Sequence, residues 1–411
     1  MKFIPVITVF FLLIGCSSSP SSVLPPVELT PLTNQIDISR QWEFTAGEGI
    51  SDFYLKLKPV FNKETGYIID YKGHMQAFTI INGKQLWDIE LNIPVSGGLT
   101  LSNGKIFLGT SKGEVVALKL LNHDLKNQDS NNVKEVWRAQ LSSEILSRPA
   151  ISQGVLVVKT IDGRVYGLNA NTGNQIWVYD RTVPRLTLRG SSSPLILNDI
   201  VVSASDSGKL AALSLKNGKL LWESTIAVAK GRNQLERVID MDIDPVVVDD
   251  VIYVTGYQGR IAAVKTGSGQ LIWSRDFSSY SGLYVDAYRV YVTDAKGQVW
   301  ALNRYNGSTL WRQDKLLRRQ LTAPEAYDNY IVIGDYDGFL HWLNREDGKI
   351  VARKQINNSE VFDDEEEEID KELALLFSKQ NNILVKPLLV NGLLLSIDRV
   401  GHFEAFKIEK H

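Results

Sequence analysis

Residues 163–177 read "GRVYGLNANTGNQIW", and the same pattern returns three times further along: "GKLAALSLKNGKLLW" at 208–222, "GRIAAVKTGSGQLIW" at 259–273 and "GQVWALNRYNGSTLW" at 297–311. Each copy is an apolar segment, a two-residue turn ending in glycine, and a second segment closed by tryptophan. Glycine suits that turn because a tight hairpin needs positive φ. The same marker pair joins Gly73 to Trp87; Gly113 reaches Trp137 across ten extra residues, and Gly338 meets Ala352 at the fourteenth position. Ahead of the first glycine lies a further β-branched run, such as "VLVVKTIDG" or "YIVIGDYDG". Before that comes a short apolar piece, often led by a proline: Pro149, Pro194, Pro245, Pro387. Four strands per unit, repeated every 38 to 63 residues, are the signature of propeller blades.

Counting the central-hairpin glycines (73, 113, 163, 208, 259, 297, 338 and 401) yields eight units. The eighth ends before any tryptophan. Residues 38–47, "ISRQWEFTAG", carry Trp42 with no hairpin glycine before it. The expected fold is therefore all-β: an eight-bladed β-propeller with four antiparallel strands per blade, its ring closed by the N-terminal strand. Closure removes exposed sheet edges, and the tryptophans are expected to pack between blades rather than bind a ligand.

The N-terminus has another character. Residues 4–15 are uncharged, the length of a signal-peptide core and short of the roughly 20 residues of a spanning helix. Cys16 follows, the only cysteine among 411 residues. The tetrapeptide "LIGC" resembles the lipobox of bacterial lipoproteins. That resemblance implies cleavage before Cys16, acylation of its sulfur and amino group and, with Ser17 next, sorting to the outer membrane. Several acyl chains make a lasting anchor, and a lipidated Cys16 leaves no disulfide in the mature chain. The expected organisation is a signal peptide over 1–15, a Ser/Pro-rich tether over 16–35 and the propeller over 36–411. A net charge of −2 gives no reason to expect general nucleic-acid binding.

The repeat text also resembles that of pyrroloquinoline-quinone dehydrogenases, which are eight-bladed propellers. The repeat specifies fold, so chemistry must be sought in a site. Members of that family resemble one another in a vicinal cysteine disulfide, an acidic base and a calcium site. Here the lone cysteine is Cys16, and no HxxH, CxxC or Asp-x-Asp-x-Asp-Gly motif occurs. His74, His341 and His402 fall on blade strands, with His123 in an insertion and His411 at the chain end. They are expected to be packed or solvated. No cofactor, metal or catalytic residue is expected, and a periplasmic quinone-dependent dehydrogenase is the alternative reading.

Spacing between blades singles out two places. Most intervals from a tryptophan to the next blade's glycine are 24 to 27 residues, but Trp177 to Gly208 takes 31 and Trp222 to Gly259 takes 37. These neighbouring crossings emerge on one face and read "VPRLTLRGSSSP" (183–194) and "GRNQLERVIDMDIDP" (231–245). Leu186 and Leu188 share one side of an extended segment and Arg189 the other; Asp240 and Asp242 alternate likewise.

Lipobox, tether, eight blades and these two segments together resemble the BamB family of outer-membrane protein assembly factors, lipoproteins of the β-barrel assembly machinery. The resemblance implies a non-enzymatic scaffold, lipid-anchored at the outer membrane and facing the periplasm. It implies docking to the periplasmic domains of the barrel-forming subunit BamA through Leu186, Leu188, Arg189, Asp240 and Asp242. Blade edges are candidates for taking strands of unfolded outer-membrane proteins by β-augmentation. Two insertions stand apart. Residues 363–377, "DDEEEEIDKELALLF", have helical apolar spacing behind an acidic start and are expected to form a short charged helix. Residues 119–134 lengthen an outer hairpin.

Overall fold

The β-branched runs and glycine turns fold into eight separate four-stranded antiparallel sheets in a computed structural model, which describes residues 24–49, 55–121, 132–180, 192–228, 239, 241–356 and 382–409. Seven sheets use consecutive strands, over 60–90, 95–140, 150–179, 195–225, 246–277, 283–313 and 325–355, and we number these blades one to seven. Blade eight joins Leu388–Val390, Leu393–Ile397 and His402–Ile408 to the N-terminal strand Ile38–Thr45. The closing pair runs from Ile38↔Ile408 to Thr45↔His402, with one bulge between Arg40 and Trp42. Trp42 lies 5.5–5.8 Å from the rings of Phe44, Phe78 and Phe403, so closure rests on an aromatic cluster as well as a hydrogen-bond ladder.

Prolines 59, 94, 149, 194, 245, 324 and 387 each stand just before an inner strand. An inner strand leaves one edge unpaired toward the ring's axis, and proline, lacking an N–H, belongs at such an edge or at a strand's start. Blade six alone has glycine there, Gly282 at φ +127°.

The tryptophans tie neighbouring blades. The indole N–H of Trp42, Trp137, Trp177, Trp222, Trp273 and Trp311 donates to a backbone carbonyl beside the next blade's outer turn, at 2.8–3.2 Å. Each of these rings also covers that turn's glycine: Gly83, Gly173, Gly218, Gly269, Gly307 and Gly348 all have positive φ, and a Cβ on any would lie 2.5–2.7 Å from indole carbon. Turn geometry and interblade packing thus demand glycine independently.

Within each blade the tryptophan faces a small residue across the strand: Ala77↔Trp87, Ala117↔Trp137, Gly167↔Trp177, Ala212↔Trp222, Ala263↔Trp273, Ala301↔Trp311 and Ala405↔Trp42. Blade seven reverses the pair as Trp342↔Ala352, both fully buried. The reason lies next door. Blade eight has no outer turn, because its outer strand comes from the other end of the chain. No turn glycine awaits an indole from position 352, and Ile36, Ile38, Phe406 and Ile408 fill that space.

Three details add to the sequence reading. Gly259 differs from the other seven central-hairpin glycines, which all have positive φ: it opens the strand Gly259–Lys265, and Gln258 takes φ +48° in its place. The outer hairpin of blade two pairs as far as Leu120↔Val133, while 122–131 lie outside the described residues. Residues 24–35, expected to belong to a tether, bond to the propeller: Val27 N donates to Leu317 O and Gln35 N to Val351 O. The expected signal peptide, Cys16 and the acidic helix over 363–377 fall outside the described residues. Among the described residues there is no α-helix and none long and apolar enough to cross a membrane.

Candidate partner-binding surface

Strand order places every crossing on the same face as the central-hairpin turns. The second long crossing returns to the described structure with residues 241–245 and the isolated Ile239. Ile239, Met241 and Ile243 are buried, and Met241 packs into the core shared by blades four and five. Their alternation turns the residues between them, Asp242 and then Asp244, toward the mouth of the central channel, which both line. The Ser193 N–H, at the end of the first long crossing, donates to Asp244 Oδ1 at 2.7 Å. That bond ties the two crossings together. Ser192 beside it is buried, within 3.5 Å of Lys159 Nζ, which also donates to Ala204 O at 2.8 Å.

Of the five residues expected to dock a partner, Asp242 is placed, half-buried at the channel mouth. Leu186, Leu188, Arg189 and Asp240 lie outside the described residues.

The mouth is a cavity of about 490 Å³ lined from all eight blades. Its charged lining includes Lys56, Lys58, Arg148 and Lys386 against Asp242 and Asp244. Lys58 Nζ stands 3.7 Å from Asp244, and Lys386 Nζ 2.8 Å from Glu325. Crowding in the mouth pushes the Asp244 carboxyl up, though about half of its side chain is exposed at 49%, and Lys58, the Ser193 amide and Lys56 outweigh it and hold the group below the usual carboxylate range. Burial pushes the Lys386 ammonium down against the pull of Glu325. Arg148 is exposed and makes no ion pair among the described residues.

The sequence reading missed four of these cations and Asp244, yet a signal was present. Lys58, Arg148, Ser193, Asp244, Ala323 and Lys386 each immediately precede an inner-strand proline, and each lines the mouth. The residue before proline is driven to extended backbone, which here aims one side chain from each of six blades at the axis. Asp244 also continues the alternation of "IDMDID".

The mouth thus combines a carboxylate bonded to backbone, Asp244, with cations and two tyrosines, Tyr257 and Tyr280. Among the described residues, no three of His, Cys, Asp and Glu are grouped to hold a metal. Fold and surface together define an eight-bladed β-propeller with a charged mouth to its central channel. The family profile described as "Outer membrane protein assembly factor BamB" matches residues 71–313 and 284–386. Curated BamB proteins from Yersinia pestis and Pseudomonas aeruginosa are 34% and 37% identical over 361 and 348 residues, each alignment covering 85% of this chain and 89% of the relative. The chain belongs to the BamB family. The crystal structure of BamB from Moraxella catarrhalis matches with a TM-score of 0.75 at 23% identity, covering 90% of this chain and all of that one. Quinohemoprotein alcohol dehydrogenase from Comamonas testosteroni matches with a TM-score of 0.66 at 12% identity, over 91% of this chain and 77% of that one, a likeness of fold alone.

Proposed function

We propose that this protein is a scaffold of outer-membrane protein assembly, anchored through acylated Cys16 and docked to BamA's periplasmic domains by its crossing face. Membership of a family named for that process supports the reading. The observation that carries it furthest is the Asp244–Ser193 bond, which ties together the described ends of two lengthened, neighbouring crossings, beside Asp242. Leu186 and Leu188 supply the apolar centre; Arg189, Asp240 and Asp242 supply register and charge pairing, as mixed hot spots do. An Arg fork can engage a carboxylate or several carbonyls at once. We read the role as non-enzymatic: a chain whose only cysteine is Cys16 has no vicinal cysteine pair to place beneath a quinone.

The test changes Leu188→Ala, Arg189→Ala and Asp242→Ala separately and measures BamA retention together with thermal unfolding. Each is expected to cost about 1–3 kcal/mol of binding and, as loop substitutions, within about 0.5 kcal/mol of stability. Retention unchanged in all three removes the docking assignment. Retention that falls only in step with melting temperature makes these residues structural.

A further inference from the structure

Residues 24–35 form a strap over the seam between blades six and seven. Three arginines donate to its backbone: Arg318 Nε to Pro25 O at 2.5 Å, Arg319 Nη1 to Val27 O at 3.1 Å and Arg353 Nη1 to Thr30 O at 3.2 Å. Val27 N donates to Leu317 O at 3.1 Å and Gln35 N to Val351 O at 2.8 Å. The Asn34 amide brackets the Arg353 backbone, donating to its carbonyl at 3.1 Å and accepting from its N–H at 2.9 Å. Leu29 packs on the cluster that contains Trp311, Leu316 and Leu321. The clamp is stiff, since Arg319 is itself buried and gripped by Asp335 at 2.7 Å and Asp337 at 2.6 Å. A proline-rich segment suits the site: it loses little backbone entropy when ordered, and it presents carbonyls to arginines with few N–H groups left over.

The strap has a direction. At residue 35 it lies on the outer edge of blade seven, along Ile350–Gln355; at residues 25–27 it has reached Leu317–Arg319, in the crossing from blade six to blade seven. It therefore leaves the body on the crossing face. Pro25 lies only nine positions after Cys16, a reach of about 30 Å fully extended and roughly 16 Å on average for a flexible chain. Outer strands of five to eight residues make the disc about 17–26 Å thick before loops are added. A tether leaving one face cannot also bring the opposite face to its anchor point without spending its whole length going round the rim.

We infer that the strap selects the face of the propeller presented to the bilayer: the crossing face, which carries the candidate docking loops, is turned to the lipid surface. This rests on the reading of Cys16 as acylated. The strap thereby makes a short leash of a chain that, unlatched, would run free for 22 residues from Cys16 to Ile38.

The experiment uses the full lipid-anchored protein in vesicles carrying a headgroup quencher. A fluorophore goes at Lys296→Cys, in the exposed central turn of blade six on the crossing face, or at Ser308→Cys, in the exposed outer turn of the same blade on the other face. Quenching at least threefold stronger at position 296 is expected. The difference should collapse in an unlatched variant, Leu29→Asp with Arg318→Ala, that keeps its melting temperature. Amide exchange is a second readout: Val27 and Gln35 should exchange at least tenfold slower in the parent than in that variant. Equal quenching at the two sites in anchored protein, or free-peptide exchange at both amides, overturns the inference while leaving the anchor intact. Protein that never partitions with the vesicles overturns the anchor and the inference together.

Discussion

Gly173 and Gly154 have nearly the same backbone, φ +75° and +77°, but different surroundings. A Cβ on Gly173 would lie 2.6 Å from the Trp137 ring, whereas nothing lies within 4 Å of one on Gly154. Gly154→Ala is expected to cost about 1 kcal/mol for the left-handed backbone alone. Gly173→Ala adds overpacking and should cost about 2–4 kcal/mol. Chemical denaturation of the two variants measures the clash as their difference, and equal losses would refute the interblade role of the glycine. Two histidines make a second comparison. His341 Nε2 donates to Asp335 Oδ2 at 2.9 Å while Nδ1 accepts from Arg353 Nε at 3.4 Å, so the neutral ring is satisfied on both sides. Burial holds its pKa below the ordinary 6.5 in spite of Asp335. The unfolded chain therefore binds a proton first, and the stability His341 contributes is complete above about pH 6.5 and lost as pH falls below it. The hydrogen bond to Asp398 raises the pKa of His402, so its contribution is complete below about pH 6.5 and lost as pH rises through the raised value. Unfolding free energy followed from pH 7.5 to 5 should fall less steeply in His341→Gln and more steeply in His402→Gln than in the parent. The opposite order would contradict both assignments.

At the scale of the element, the closing strand and the reversed pair of blade seven answer one another. Ile38–Thr45 is a long-range partner of His402–Ile408, and Trp42 carries the blade-eight end of the tryptophan ring into blade one. Trp42→Ala is expected to cost about 3–5 kcal/mol, as buried large-to-small changes do, read as a lowered melting temperature with the rest of the ring intact. Ala352→Trp restores the marker that blade seven lacks, yet it should destabilise by about 1–3 kcal/mol, because the space is filled and Trp342 already sits opposite. A neutral or stabilising result would mean the repeat pattern, rather than the neighbour, dictates that position. These facts were partly legible in sequence. The orphan Trp42 and the truncated last unit pointed to each other across the chain. Ala352 read as a missing marker, since only the tertiary pairing shows that the tryptophan has moved to the facing strand.

For the whole molecule, the proposed function turns on the anchor and the docking face. Cys16→Ala should leave a folded protein that fractionates away from the membrane in cells lacking BamA; persistence in the membrane fraction would remove the lipoprotein reading. Arg148→Glu reverses a charge at the rim of the channel mouth without breaking an ion pair among the described residues. If an acidic part of the partner reaches the mouth, association should slow several-fold at low salt with little change in melting temperature; an unchanged rate would confine docking to the two crossings.

The sequence alone determined the architecture, because a propeller is built from local rules repeated eight times. Glycine turns, alternating strands, prolines before inner edges and a tryptophan fourteen residues from five of the eight central glycines are short-range constraints, readable wherever they recur. It also marked the two long crossings, since a broken rhythm is a local fact. What only the tertiary structure decided is where ends and crossings meet. The residues before six of the prolines converge on one mouth because eight blades share an axis. Asp244 reaches Ser193 because consecutive blades are adjacent. A stretch that composition marks as linker lies down on arginines some 290 residues away. Those contacts pair groups that no spacing along the chain brings together; ring closure does, by placing residue 27 beside residue 319.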